Sequence, residues 1–179
     1  MATTAQPSIL IVDDEEAFLD ILLIWLRKLG YENIHSASNS DDALAKAAEL
    51  KPDLVLMDIM LPGSSDGVET AWNLNNRYGL RVIYITAYAD QKTIGAAKST
   101  RPYGYLVKPF TLAELDTTIK KADKIRKLEE KLRAQPITDN EAQERLESYR
   151  EETVNKSIQI HLARTEKIQA DMRQKLRGR

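Results

Sequence analysis

The sequence contains no cysteine, so neither a disulfide framework nor a thiolate metal site can hold this fold together. Glycine and proline are sparse, 7 and 6 of 179 residues, which excludes collagen-like and low-complexity chains. The longest apolar run, Ile21 to Leu26, falls far short of the ~20 residues a membrane-spanning helix needs. Residues Met1 to Pro7 lack the charged-then-apolar start of a signal peptide. A soluble cytoplasmic protein without a membrane partner is therefore expected. Charge of one sign is missing too: the net charge is −1, and no whole-chain field marks a nucleic-acid binder. Only two histidines occur, His35 and His161, and neither has a carboxylate or second histidine at ligand spacing. His161 reads as a solvated helix residue rather than a phosphoacceptor.

What is present is 42% hydrophobic and 30% charged residues, the balance of a globular fold with much exposed helix. The length allows one ordinary domain plus an appendage. Short apolar runs alternate with amphipathic stretches. Ile9-Leu10-Ile11-Val12 stops at Asp13-Asp14, Leu54-Val55-Leu56-Met57 stops at Asp58, Val82-Ile83-Tyr84-Ile85 stops at Thr86, and Tyr105-Leu106-Val107 stops at Lys108-Pro109. Continuous apolar runs of this length describe strands covered by helices on both faces. A weaker strand spans Asn33 to Ala37. Between these lie helical patterns: a stripe of Phe18, Ile21, Leu22, Trp25 and Leu29 closed by Gly30, an Ala-rich helix capped by Ser40, a helix from Val68 to Tyr78, and a short one around Gln91 to Lys98. Trp25 and Trp72 fall on helical apolar faces and read as core. Five strands alternating with helices over short connections predict an α/β fold with a doubly wound parallel sheet.

After Phe110 the character changes. Thr111 with Glu114 three residues on forms a capping-box pattern. The helix it opens carries Leu112, Leu115, Ile119, Ala122, Ile125, Leu128 and Leu132, its first half suited to the sheet and its second half expected to project. Gln135 to Thr138 breaks it, and Thr138 with Glu141 offers a second capping box. A second helix then runs toward Leu176 with a thin stripe of Ala142, Leu146, Tyr149, Thr153 or Val154, Ile158, Leu162, Ile168, Met172 and Leu176. So narrow a stripe needs a partner surface; burial in a dimer or another protein is expected. The basic residues after Ile160, among them Arg164, Lys167 and Arg173, read as a solvated face. Nucleic-acid binding through them is the weaker alternative, because no helix-turn-helix, zinc ligands or interleaved aromatics accompany them.

The residues that end the strands carry the chemistry. In an open parallel sheet, ligands bind beyond the carboxyl ends of the strands. Asp13, Asp14 and Asp58 converging there would repel one another, and a divalent cation with oxygen ligands, best matched by Mg²⁺, would relieve that. Lys108 supplies a compact positive charge for a phosphoryl oxygen, Thr86 a hydroxyl donor, and Asp58 a carboxylate nucleophile able to form an aspartyl phosphate.

These residues sit in Ile-Leu-Ile-Val-Asp-Asp-Glu (9 to 15), Leu-Val-Leu-Met-Asp-Ile-Met-Leu-Pro-Gly (54 to 63), Ile-Thr-Ala (85 to 87) and Gly-Tyr-Leu-Val-Lys-Pro-Phe (104 to 110). In this order and spacing they resemble the receiver domains of bacterial and archaeal response regulators, over roughly Ser8 to Ala122. The resemblance implies a flavodoxin-like strand order 2-1-3-4-5, a sensor histidine kinase or phosphotransfer protein as donor, and no enzyme activity beyond the domain's own phosphorylation and dephosphorylation. It assigns phosphorylation to Asp58, metal ligation to Asp13, Asp14, Asp58 and the Met60 backbone carbonyl, phosphate binding to Lys108, Thr86 and Ala87, and a switch to Thr86 and Tyr105. It also implies a cis Lys108-Pro109 bond. Two departures stand out: the segment from Asp58 to Asp66-Gly67 is one residue longer than in common receivers, and apolar Met60 cannot steer an attacking water. The expected organisation is a receiver domain over 8–122 and a helical extension over 123–179, broken near 135–138. The output expected is switched protein–protein association, as a homodimer or with a partner. A phosphate-relaying receiver in a fixed oligomer is a further alternative.

Overall fold

The structure is a computed structural model that describes residues 6–62, 66–87, 91–134 and 140–177. Five strands, β1 (Ile9–Val12), β2 (Ile34–Ala37), β3 (Leu54–Asp58), β4 (Val82–Thr86) and β5 (Gly104–Val107), form one sheet in the order β2-β1-β3-β4-β5. Every pairing is parallel, with Ile11 level with Leu56, Leu56 with Ile83, and Ile83 with Gly104. Helices α1 (Glu16–Lys28), α2 (Ser40–Leu50), α3 (Gly67–Tyr78), α4 (Gln91–Ser99) and α5 (Leu112–Ala134) alternate with the strands, and α6 (Asn140–Arg177) follows.

Side chains alternate across a strand, so each buried run feeds two cores. Leu10, Val12, Val55, Met57 and Tyr84 face one way, with Ala43 and Ala47 of α2, Ala71 and Leu74 of α3, and Ile94 and Ala97 of α4. Ile9, Ile11, Leu54, Leu56, Ile83 and Ile85 face the other, under Leu19, Leu22 and Leu26 of α1 and Leu115, Ile119, Ala122 and Ile125 of α5. The sheet order and the strand runs follow the sequence reading. Several helical details do not. The buried line of α1 is Leu19, Leu22 and Leu26, while Ile21 is exposed, because the stripe is rotated by one position from the one expected. Asn39, not Ser40, caps α2 by accepting from the Asp42 N–H at 2.9 Å. Ser40 lies inside the first turn and accepts a 2.8 Å bond from the Thr70 hydroxyl. Trp72 is 56% exposed on α3 rather than core; the buried face of that helix runs through Gly67, Thr70, Ala71 and Leu74, most of them small enough to let α3 lie close to α2.

The largest difference concerns the extension. The second half of α5 does not project. Ile125 is fully buried, Arg126 is ion-paired to Asp53 at 2.9 Å, and Glu129 is ion-paired to Arg81 and accepts from the Tyr103 hydroxyl at 2.9 Å. Helix α6 then lies along β5 and α5. Of the two stripe positions left open, Val154 takes the buried place and Thr153 does not. Val154 and Ile158 join the same buried cluster as Tyr84 and Tyr105, with Leu162 partly buried against it. Between Val154 and Leu162 the stripe expected to seek a second chain is thus covered by the chain's own sheet, while Tyr149 before it stays exposed. Since β5 is an edge strand, the helix also shields an otherwise open row of backbone groups. The break near 135–138 and the Thr138 capping box lie outside the described residues. No helix is long and apolar enough to cross a membrane among the described residues.

Candidate functional site

The strand runs end level with one another, and that alignment delivers their terminal polar side chains to one edge of the sheet. Asp13 follows β1 and Asp58 closes β3, two adjacent parallel strands. Lys108 follows β5, where its backbone N–H donates to the Thr86 carbonyl at 2.8 Å. Its ammonium reaches back over the sheet and donates to Asp13 Oδ2 at 2.7 Å and to Asp58 Oδ2 at 3.0 Å. One cation therefore holds two carboxylates. The same ammonium lies over the face of Phe18, whose ring centroid is 3.9 Å from Nζ, and Phe18 meets Phe110 edge-on.

Each carboxylate has a second anchor. Asp13 Oδ1 accepts from the Glu15 N–H at 2.9 Å, and Asp58 Oδ1 from the Met60 N–H at 2.9 Å. These short turns fix both carboxylates on the strand ends. Burial pushes the Asp13 carboxyl above its ordinary range, against the opposing pull of the Lys108 hydrogen bond. Burial also acts to lower the Lys108 ammonium, but the hydrogen bonds it donates to Asp13 and Asp58, with their charges, outweigh it and hold the group above its usual value.

Asp14 stands exposed on the rim beside this centre, and so does the Met60 side chain; both line a groove between α3 and α4 with Leu61 and Trp72. Thr86 is fully buried at the end of β4, and Ala87 is exposed immediately after it. Two of the three expected carboxylates converge and the third flanks them. Among the described residues no group of three or more His, Asp or Glu side chains is set to hold a metal ion. Mg²⁺ needs only one or two carboxylates, since it keeps several waters. The hard oxygen donors of Asp13 and Asp58, with Asp14 and the Met60 carbonyl nearby in sequence, fit that requirement.

The backbone behind Asp58 is tightly closed. Gly67, the first residue of α3, donates its N–H to the Ile59 carbonyl at 3.0 Å. A Cβ on Gly67 would fall 1.8 Å from the Asp58 carbonyl oxygen, so only glycine fits there. Tyr105 is 4% exposed, its ring centroid 5.2 Å from that of Tyr84. Burial, then the neighbouring Tyr84, pushes its hydroxyl far above the ordinary tyrosine range. That hydroxyl has no hydrogen-bond partner among the described residues. The Lys108-Pro109 bond is cis, as expected.

Two residues that the sequence reading placed on a solvated face or passed over join this region. Arg164 donates to the Pro109 carbonyl at 2.9 Å and to Glu114 at 2.6 Å. Arg150, almost fully buried, donates to the Pro102 carbonyl at 3.3 Å and is ion-paired to Glu147. The signal that could have found Arg150 is its place four residues before Val154 and eight before Ile158, on the buried line of the helix.

Comparison with known proteins follows the same geometry. The family model for the response regulator receiver domain matches residues 9–120, more than half of the chain. The chain is 32% identical over 120 residues to the transcriptional regulatory protein ResD of Bacillus subtilis, covering 67% of this chain and 49% of that one; it spans about half the length of this curated relative. Among solved structures it resembles the signal receiver domain of a modulated diguanylate cyclase from Desulfovibrio desulfuricans G20, at 40% identity and a TM-score of 0.66 over 70% of this chain and 99% of that one. A CheY-like response regulator receiver domain protein from Methanospirillum hungatei JF-1 matches at 30% identity and a TM-score of 0.65, with coverage of 70% and 99%.

Proposed function

Because the chain belongs to the response regulator receiver domain family, we propose that Asp58 is its phosphoacceptor and that a histidine kinase or phosphotransfer protein is the donor. The observation that carries this reading is the shared ammonium of Lys108, which holds Asp13 and Asp58 together at the sheet edge. An Asp58 oxygen attacks the phosphorus of a phosphohistidine; the phosphorus–nitrogen bond breaks and the imidazole keeps the electron pair. Lys108 transfers its contact from the Asp58 carboxylate to a phosphoryl oxygen, while Thr86 and the backbone at Ala87 bind the others. Asp13, Asp14, Asp58 and the Met60 carbonyl would hold Mg²⁺, which supplies charge neutralisation for the incoming phosphoryl group. Nothing in this assignment makes the domain an enzyme acting on other substrates.

The output proposed is protein–protein contact through α5 and α6. Contact with a second copy or with another protein falls to the outer surface of α6, where Tyr149, Ile160 and Ile168 are exposed. Nucleic-acid binding through the basic end of the helix has less support, since Arg164 is engaged with Pro109 and Glu114. A cytoplasmic setting belongs to the same proposal.

The test is Mg²⁺-dependent labelling by a small acyl phosphate, read by intact mass. One phosphoryl group per chain is expected in the wild type and none in Asp58→Ala. Stoichiometric labelling that persists in Asp58→Ala would sink the assignment.

A further inference from the structure

Helix α6 touches the two ends of the strand that carries the switch tyrosine and leads into the phosphate-binding lysine. Arg150 holds the carbonyl of Pro102, just before β5, and Arg164 holds the carbonyl of Pro109, just after it. Between them Val154 and Ile158 close the cluster that contains Tyr105. A cavity of about 270 Å³ remains beside this seam, bounded by Tyr105, Phe110, Glu114, Ser157, Ile160 and Arg164. The contacts reach the second residue before β5 and the second after it.

The position of Tyr105 gives these contacts a direction. With Asp58 as acceptor, a phosphoryl group there would draw the Thr86 hydroxyl toward it and leave room behind β4 for an inward aromatic ring. The ring lies inward here, 4% exposed and 5.2 Å from that of Tyr84, although its hydroxyl is left without a partner among the described residues. A buried hydroxyl in that state favours a rotamer that reaches water. Something must hold it, and the helix laid over β5 is what lies in its way. Resting on the assignment of Asp58 as acceptor, we propose that α6 is an intramolecular effector of the receiver. Its Arg150 and Arg164 act as positioning residues that fix β5, and with it Lys108 and Tyr105, in the arrangement that the phosphorylated site requires. Coupling between two sites is reciprocal, so phosphorylation tightens α6 on the domain rather than releasing it.

The experiment uses the full chain, Mg²⁺ and beryllofluoride as the phosphoryl mimic. Affinity for Mg²⁺ alone and for beryllofluoride at saturating Mg²⁺ is measured in wild type, Arg164→Ala, Arg164→Lys and Arg150→Ala, together with amide exchange along α6. Arg164→Ala should lower beryllofluoride affinity about fivefold or more and leave Mg²⁺ affinity unchanged, a split that a general loss of folding would not produce. Arg164→Lys should restore part of it, and Arg150→Ala should act in the same direction. Beryllofluoride should slow exchange in α6 of the wild type. Equal beryllofluoride affinities in all four proteins, or faster exchange in α6 on binding, would overturn the proposal while leaving Asp58 as acceptor. A wild type that binds no beryllofluoride would instead remove the acceptor assignment and the proposal with it.

Discussion

At the carboxyl edge of the sheet, charged side chains from three separate segments meet in one mostly buried spot, whereas along β5 and α6 the buried contact is apolar and its charges stand at the two ends. The edge is held by a single ammonium shared between Asp13 and Asp58. The seam is held by Val154 and Ile158 with Arg150 and Arg164 as end clasps. Burying an aliphatic side chain is favourable by about 1.5–3 kcal/mol, while a buried ion pair does little better than break even. The difference separates what the domain spends stability on from what returns it. The edge is kept reactive, and the seam beside it supplies rigidity.

Substitutions at the two regions sharpen that contrast. Lys108→Met leaves two carboxylates facing each other without a cation, and the expected loss is about 2–4 kcal/mol by urea unfolding at neutral pH, somewhat below the figure for a fully buried pair. The deficit should shrink as pH falls, beginning above the ordinary carboxylate range, because burial already raises Asp13 and the loss of Lys108 removes what opposed that rise. A loss independent of pH would mean that the lysine matters only as packing. Ile158→Ala should cost about 2 kcal/mol, at the low end for such truncations because a surface helix can settle. Its effect should appear as faster amide exchange in α6, with Asp58 still labelled by an acyl phosphate. Thr86→Ala should still accept phosphate but forfeit coupling between site and α6 worth about 1 kcal/mol; an unchanged beryllofluoride response in α6 would take Thr86 and Tyr105 out of the route.

The smallest effect is electrostatic. Burial raises the Glu147 carboxyl, but the hydrogen bonds from Arg150 and Arg101 outweigh it and hold the group at about 2. A depressed carboxylate stabilises the folded arrangement above its ordinary value of 4.5 and loses that contribution as pH falls toward 2. Exchange at the start of α6 should therefore quicken across that window in the wild type. Glu147→Gln should flatten the dependence, and the same slope in both proteins would exclude this ion pair as its source.

The two regions also differ in how openly the sequence displayed them. Continuous apolar runs ending in Asp13, Asp58, Thr86 and Lys108 announce buried parallel strands, since few other structures hide both faces of four consecutive residues. Parallel alignment then delivers their ends together, so the convergence of Asp13, Asp58 and Lys108 was legible once the sheet was. The resting place of α6 was not. A stripe of Val154, Ile158 and Leu162 states that a partner exists without naming it, and the chain's own β5 serves as well as a second molecule. Arg164 looked solvated because its pairing with Glu114 depends on tertiary approach, and Arg150 was passed over because its reach to the Pro102 carbonyl does too, although its partner Glu147 lies one turn away on the same helix. Tyr105 was expected as one half of a switch pair, and it lies buried against a helix whose position no local pattern encodes. Trp72 was misplaced for a related reason: an aromatic on a helical stripe marks a buried face only when its neighbours are not small enough to bring the sheet closer than it can fit.

The closure at Gly67 bears on how such a site diversifies. The chain leaves the sheet after Ile59 and comes back to the same carbonyl at Gly67, 3.0 Å away, so the intervening segment begins and ends at one point. Lengthening a closed excursion of this kind costs only ~0.6 kcal/mol for each doubling, and the added residues have no lever on the Asp58 backbone. If Asp58 is the phosphoacceptor proposed above, length can change in this segment while the Asp58 backbone stays where Gly67 holds it. Replacing Gly67 would have the opposite reach, altering the acceptor whatever the loop contained. In this corner of the molecule, the length of the loop and the place of the Asp58 backbone can be changed separately, and one hydrogen atom in place of a methyl group keeps them apart.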